Sequence, residues 1–108
     1  MQDKPDMPLL VVTTVASRED ALMLARALVD SRLAACAQIG QIESVYRWQG
    51  AVQAETEFRV LFKTRRGLYA QVEAALRERH PYELPAIHAI ATSQAEPAYA
   101  AWVADNVG

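Results

Sequence analysis

Residues 33–64 read LAACAQIGQIESVYRWQGAVQAETEFRVLFKT, and this stretch decides the fold. Its first half, residues 33–48, follows the alternation of a strand rather than the period of a helix. One side of that strand carries Ile42, Ser44, Tyr46 and Trp48, and the other carries Glu43, Val45 and Arg47. Gly40 lies inside the run and predicts a bulge or a bend. We therefore expect one long, bent strand.

The second half of the stretch returns as the partner strand. Gln49 and Gly50 form the turn, because glycine tolerates a positive φ. Residues 57–64, EFRVLFKT, alternate between two faces. One face carries Phe58, Val60 and Phe62, and the other carries Glu57, Arg59, Leu61 and Lys63. The antiparallel hairpin exceeds the usual strand length of about five or six residues, so we expect its tip to project beyond the sheet.

The sequence before the hairpin predicts a strand and a helix. Residues 9–15, LLVVTTV, are apolar and β-branched, which is typical of a central strand buried on both faces. Ser17 then supplies an N-cap, with Asp20 in the first helical turn. The apolar face of this helix is formed by Ala21, Leu24, Ala25 and Leu28. The helix is expected to end near Ser31 or Arg32.

The sequence after the hairpin predicts two helices separated by a strand. The first helix spans about residues 66–79 and is ended by Pro81, because the residue before a proline is pushed out of the α region. A rigid turn and a short strand at residues 86–91, AIHAIA, follow. Pro97 suits the first turn of a last helix. The packed face of that helix is predicted to carry Tyr99, Trp102 and Val103.

The element order is therefore β-α-β-β-α-β-α, which predicts an α+β ferredoxin-like sandwich. Its four-stranded antiparallel sheet has a long central hairpin, and helices cover one face. We expect a single domain over residues 9–108 and a mobile tail over residues 1–8. A long hairpin in a small domain leaves unpaired backbone groups along its edge, and pairing with another subunit would satisfy them.

Composition narrows the classes of function. The net charge is −2, and 11 basic residues are scattered among 13 acidic ones, so nucleic acid is not an expected partner. No run of about 18 apolar residues is present, and we expect no membrane association. Cys36 is the single cysteine, so the fold does not depend on a disulfide. The cytoplasm is the expected location.

Several motifs occur in order along the chain. They are LAACAQI at residues 33–39, SVYRWQG at 44–50, Glu57, FKT at 62–64, HPYELP at 80–85, and the spaced Tyr99 and Trp102. Together they resemble the CutA family of divalent-cation tolerance proteins, over residues 9–103. The resemblance implies a fold similar to that of the PII nitrogen regulators and a tight trimer with paired sheet edges. It also implies a role in the response to copper and other divalent cations.

His80 is the candidate metal ligand, because imidazole binds copper and zinc. The expected metal is Cu(II) or another divalent cation, bound weakly, and no organic cofactor is predicted. The alternative interpretation is that His80 ends the second helix, where a histidine complements the helix dipole. Some family members carry a second histidine beside this one, where this chain has Arg79. Cys36 has small apolar neighbours, which favours a buried, inert thiol.

We expect the functional site to lie in a cleft between subunits. Its candidate residues are Trp48, Glu57, Lys63, Tyr82, Tyr99 and Trp102. Trp48 lies at the hairpin tip, where exposure is costly, so we expect it to insert into a neighbouring subunit. The sequence has no nucleophile–base pair at motif spacing, which favours a protein that is not an enzyme. The leading hypothesis is a divalent-cation tolerance trimer, and the alternative is a PII-like sensor that binds a small ligand in the cleft.

Overall fold

The computed structural model describes residues 5–108, and it has the predicted order of strands and helices. The elements are β1 (Pro8–Val15), α1 (Arg18–Asp30), β2 (Cys36–Trp48), β3 (Ala51–Arg65), a 3₁₀ turn (Arg66–Leu68), α2 (Tyr69–Arg79), β4 (Ile87–Ala91) and α3 (Pro97–Asp105). The second helix was predicted to begin at Arg66. Its first turn is instead the 3₁₀ segment, and regular α-helix begins at Tyr69.

The four strands form one sheet in the order β2-β3-β1-β4. All three pairings are antiparallel, and β1 lies in the middle, with Val11 opposite Phe62 of β3 and Ala89 of β4. A central β1 agrees with the prediction from its apolar sequence. This order, with helices between β1 and β2 and between β3 and β4, confirms the ferredoxin-like prediction.

The hairpin of β2 and β3 is closed by a two-residue turn. Gln49 and Gly50 have φ angles of 50° and 81°, the positive values of a type I′ turn. Residues then pair one to one from Trp48–Ala51 to Cys36–Lys63. Gly40 pairs directly with Arg59, so of the two predicted alternatives at Gly40, a bulge or a bend, the bulge is wrong. A Cβ atom at Gly40 would meet no atom within 4 Å, and nothing in the backbone there requires glycine.

The tip of the hairpin extends past the rest of the sheet. The last residue of β1, Val15, pairs with Phe58, so β3 residues 51–57 have no partner in β1. The other side of the hairpin, β2, is an outer strand of the sheet. The predicted projection of the tip is confirmed, and it leaves side chains such as Val45 (73 % exposed) and Val52 (62 % exposed) in solvent.

The hydrophobic core lies between the sheet and the first two helices. The predicted face of α1 is confirmed, because all of its members are buried: Ala21, Leu24, Ala25 and Leu28. They pack with Val11, Val60 and Phe62 of the sheet and with Val72 and Leu76 of α2. Ser17 caps α1 as predicted, since its side chain accepts a hydrogen bond from the backbone N–H of Asp20 at 3.1 Å.

The last helix, α3, packs on the opposite face of the sheet, contrary to the prediction that helices cover one face. Lys63 lies between the buried residues Phe62 and Thr64 of β3, so its side chain points to the other face of the sheet. Its Nζ lies 5.7 Å from the ring centre of Tyr99 in α3. Val103 is fully buried yet lies outside the core beneath α1 and α2. Tyr99 and Trp102 were predicted on a packed face, but they are 36 % and 47 % exposed.

Both ends of the described chain are fastened to the domain. Residues 1–4 of the predicted tail lie outside the described residues, while Pro8 already belongs to β1. The carbonyl oxygens of Pro5 and Met7 accept hydrogen bonds from the backbone N–H groups of Gly67 and Arg66, both at 3.0 Å.

At the other end, the N–H of Gly108 donates to the carbonyl of Arg32 at 2.8 Å. The Arg32 side chain donates in turn to the carbonyls of Asp105 and Gly108, at 2.9 and 3.1 Å. Arg32 makes these bonds with a φ of 61°, an uncommon angle for a residue with a side chain.

The turn geometry predicts different effects of two Gly→Ala substitutions in the hairpin. Gly50→Ala should lower the free energy of unfolding by about 1 kcal/mol, because an alanine at a φ of 81° is strained. Gly40→Ala is the matched control and should leave stability unchanged or raise it, since its Cβ enters open space. Urea denaturation of both variants measures the difference. Equal loss of stability in the two would contradict the type I′ turn.

Candidate functional site

A large cavity opens where the hairpin passes the segment that follows α2. Its volume is about 880 Å³. The hairpin lines it with Glu43, Ser44, Val45, Tyr46, Trp48, Glu55 and Glu57, and the opposite wall consists of Thr14, Ala16, Pro81, Tyr82, Glu83, Leu84 and Ala86. Three of the predicted cleft residues, Trp48, Glu57 and Tyr82, therefore meet in one protomer.

His80 holds the segment that forms one wall of this cavity. It is the C-cap of α2, with extended backbone angles. Its Nδ1 accepts a hydrogen bond from the backbone N–H of Tyr82 at 3.1 Å. Its Nε2 lies 3.0 Å from the Thr14 carbonyl oxygen and 3.0 Å from Thr13 Oγ1. Because a carbonyl only accepts, the network assigns the neutral tautomer with the proton on Nε2.

The surroundings of His80 keep the imidazole neutral. Burial lowers the pKa of His80 below its ordinary value of 6.5, and this effect outweighs the Thr14 carbonyl and the carboxylates of Asp20 and Glu57, which favour the charged ring. Thr13 Oγ1 donates to the carbonyl of Ala86 at 2.7 Å, which extends the network to the residue before β4. His80 therefore ties α2, β1 and the cavity wall together.

These contacts leave His80 poorly placed as a metal ligand within one protomer. Both ring nitrogens are already in hydrogen bonds, so coordination requires that one of them be broken. A zinc or copper site needs three or four donors. Within residues 5–108, no three His, Cys, Asp or Glu side chains are grouped so that they could hold a metal ion. Residues 5–108 of a single protomer therefore do not fit a divalent cation.

Glu57 and Tyr82 form the polar contact across the cavity. The Tyr82 hydroxyl donates to Glu57 Oε2 at 2.9 Å. Glu57 is 92 % buried, since 8 % of its surface is exposed. Burial, followed by the hydrogen bond to Glu57, raises the pKa of Tyr82, so the hydroxyl remains protonated and continues to donate. This bond brings two of the predicted cleft residues, Glu57 and Tyr82, into direct contact.

A second tyrosine–carboxylate pair lies further along the hairpin. The Tyr46 hydroxyl donates to Glu55 across the two strands, and this bond is the main cause of a raised pKa for Tyr46. Trp48, two residues beyond Tyr46, lines the cavity and is 43 % exposed. The sequence did not single out Glu43, Glu55 or Glu83. The alternation of the hairpin was the available signal for Glu55, because it places Glu55 beside Glu57 on one side of β3.

The remaining predicted cleft residues form a separate patch at α3. Tyr99 and Trp102 stack with ring centres 6.3 Å apart, and Lys63 lies over the Tyr99 ring. None of the three lines the cavity. Cys36, opposite Lys63 in the ladder, is partly exposed rather than buried, because it lies on β2, an outer strand of the sheet.

Comparison with known proteins decides the family. The family model described as "CutA1 divalent ion tolerance protein" matches residues 9–106. The chain belongs to this family. A curated CutA relative, the divalent-cation tolerance protein CutA of Thermus thermophilus, is 37 % identical over 100 residues, which cover 92 % of this chain and 97 % of that protein.

Solved CutA structures share the fold. CutA from Synechococcus elongatus PCC7942 superposes with a TM-score of 0.91 at 34 % identity and covers 99 % of this chain and 95 % of its own. The periplasmic divalent cation tolerance protein CutA from Archaeoglobus fulgidus gives a TM-score of 0.91 at 32 % identity, over 94 % of this chain and 100 % of its own. The resemblance stated from the sequence motifs is confirmed. In the described residues, no helix is long and apolar enough to cross a membrane.

The environment of His80 predicts a pH dependence of stability. Because the folded pKa lies below 6.5, the unfolded chain binds a proton first as the pH falls. The stabilisation from neutral His80 is complete above about pH 6.5 and is lost as the pH falls through the folded pKa. Thermal unfolding between pH 7.5 and 5 should therefore show a steeper fall for the wild type than for His80→Gln.

The matched control for this experiment is His88→Gln. His88 is an exposed residue of β4, and its substitution leaves His80 and its hydrogen bonds in place. This variant should keep the wild-type pH dependence. Parallel curves for the wild type and His80→Gln would show that the ring is not held neutral in the folded state.

Proposed function

We propose that this CutA protein acts in divalent-cation tolerance as a homotrimer and without catalysis. The observation that carries the proposal is the long hairpin, which leaves polar backbone edges and apolar side chains uncovered in a single protomer. β2 and β4 are the outer strands of the sheet, and β3 extends past β1 over residues 51–57. Such edges pair with other strands unless they are covered.

The exposed side chains support the same assembly. Large apolar residues are exposed along the hairpin and on the face that carries α3: Val45, Trp48, Val52, Ile90, Tyr99 and Trp102. Burial of such surface contributes about 25 cal/mol per Å², so a second subunit that covers it is favoured. A neighbouring subunit that brings its own hairpin against α3 would unite the two groups of predicted cleft residues, which lie apart in one protomer.

Weak binding of Cu(II) or another divalent cation is part of this proposal. A protomer supplies His80 and the carboxylates of the cavity, and symmetry-related copies would have to complete the donor set. The hydrogen bonds of His80 predict that coordination competes with the link between α2 and β1. We also place the protein in the cytoplasm, where a fold with one cysteine needs no oxidant.

A second candidate function is a PII-like sensor that binds a small ligand. The cavity of about 880 Å³ favours it, since ligand sites commonly have volumes of roughly 300–1,000 Å³ and aromatic walls. Here the ligand would occupy the cavity between the hairpin and residues 81–86. A movement of that wall on ligand binding would be transmitted to β1 through the hydrogen bonds of His80.

The trimer predicts the mass in solution and its sensitivity to substitutions at the hairpin tip. Light scattering should give about three times the 12.0 kDa of one chain. Val52→Asp should shift the equilibrium toward monomer by at least about tenfold, because a charge replaces an exposed apolar side chain at the tip that does not line the cavity. Leu22→Asp is the matched control: Leu22 is 40 % exposed on α1 rather than on the hairpin, and its substitution should leave the mass unchanged. A stable wild-type monomer would refute the assembly.

Titration calorimetry tests the metal proposal. Cu(II) and Zn(II) titrated into the trimer should give weak binding that His80→Ala reduces, whereas His88→Ala leaves it unchanged. Equal, negligible heats for the wild type and His80→Ala would remove His80 as a ligand. The tolerance function would then act through another group or another partner.

A further inference from the structure

We propose that the cavity binds an organic cation, an ammonium group on an apolar body, with Glu57 as its charged partner. The inference rests on the second candidate function, the small-ligand sensor, and supplies the chemical class of its ligand. Three independent features of the cavity carry it: the sign of its charges, a buried carboxylate with an available oxygen, and an aromatic wall.

The charges that line the cavity are all negative. Glu43, Glu55, Glu57 and Glu83 line it, and no Lys or Arg of residues 5–108 does. The chain as a whole is nearly balanced, with 11 basic and 13 acidic residues, so this separation is local. A concave surface of one sign focuses the electrostatic field and attracts the opposite charge. The cavity therefore disfavours nucleotides, phosphates and carboxylates and favours cations.

Glu57 is the anionic group best placed to bind a ligand. Its side chain is 92 % buried, and Tyr82 donates to Oε2 alone, which leaves Oε1 available to an N–H group of a ligand. No fully buried side-chain oxygen of the described residues lacks a hydrogen-bond partner, so Oε1 keeps access to the solvent of the cavity. A cation that reaches this oxygen meets a carboxylate in surroundings of low dielectric constant, where their attraction is stronger than in water. Glu55 already accepts the Tyr46 hydroxyl and is exposed, so it contributes long-range attraction rather than a desolvated contact.

The rings around the cavity suit a cation with an apolar body. Trp48 is 43 % exposed and Tyr46 is 37 % exposed, so both present ring surface beside the carboxylates. The face of an aromatic ring attracts an ammonium group, most strongly in tryptophan. Leu84 and Pro81 add apolar surface on the opposite wall. An alkyl or aryl chain would contact these groups while its ammonium group reaches Glu57.

Geometry separates an organic cation from a metal ion at this site. An ammonium group donates hydrogen bonds to one or two carboxylates and requires no fixed coordination number. A divalent metal requires several donors around one point, and in the described part of the chain no three acidic, His or Cys side chains converge in that way. The negative charge of the cavity would attract either ligand, but the arrangement of its side chains suits the organic cation and not the metal ion.

The test uses three probes of one shape and different charge: phenethylamine, 2-phenylethanol and 3-phenylpropionate. Calorimetry on the full-length wild type at pH 7.5 should show phenethylamine binding at least about tenfold more tightly than the alcohol, with no detectable binding of the anion. Glu57→Gln should lower the affinity for phenethylamine by about ten- to a hundredfold and leave the affinity for the alcohol unchanged. The substituted amide retains a carbonyl oxygen that accepts from Tyr82, and the thermal unfolding midpoint checks that the variant is folded.

Two further variants keep the inference testable should Glu57→Gln fail to fold. Tyr82→Phe releases Oε2 and should preserve or strengthen the preference for the amine, whereas Trp48→Leu should weaken the amine more than the alcohol. Glu78→Gln, an exposed residue of α2, is the control for loss of one negative charge and should change nothing.

The outcomes separate this inference from the function on which it rests. Equal affinity for the amine and the alcohol would overturn the inference that the ligand is an organic cation, but the cavity would still be a site for a small ligand. No binding of any probe at millimolar concentration would overturn both. Light scattering on the same samples reports the trimer independently, so a monomer that still prefers the amine would refute the assembly alone.

Discussion

The antiparallel ladder between β2 and β3 is the constraint on which the rest of the structure depends. A two-residue turn with positive φ at both positions closes it, and every residue of Cys36–Trp48 then has one partner. This register decides which side chains stand at the point where the hairpin leaves the sheet. It places Glu57 one residue past the end of β1, where Tyr82 reaches it. A one-residue slip would turn all these groups to the other face.

Most of the fold follows from local patterns in the sequence. Strand alternation, the Ser17 cap and the proline stops locate each element to within a few residues, because they act on the backbone nearby. Two of the wrong predictions have clear physical causes. Gly40 lies in open space, so a glycine in a strand did not mark a bulge. The last helix is alanine-rich, with no strong apolar stripe, so its residues did not indicate which face of the sheet it covers.

The site was only partly predictable. His80, Glu57 and Tyr82 were each named from sequence. Apart from the local bond between Tyr82 and His80, however, their bonds join residues 25 to 67 positions apart, and local patterns do not reach that far. The sequence offered His80 as a metal ligand or as the end of a helix, and it did not show that both ring nitrogens are in hydrogen bonds. Glu43 and Glu55 were not singled out from the sequence, since only the fold brings segment 81–86 against them. The six predicted cleft residues fall into two groups in a single protomer. One group lines the cavity and the other lies at α3: Trp48, Glu57 and Tyr82, and Lys63, Tyr99 and Trp102.

The fastening of the two chain ends has a consequence for topology. Pro5 is held by Gly67, and Gly108 lies beside Arg65, where a Cβ atom on it would be 3.6 Å from Arg65 Nη2. The ends of the described chain thus converge on one corner of the sheet, as is common in small domains. A short peptide could join them into a ring, with new ends opened in the exposed loop between β4 and α3. Such a circular permutant would keep the hairpin, the cavity and the whole hydrogen-bond network intact.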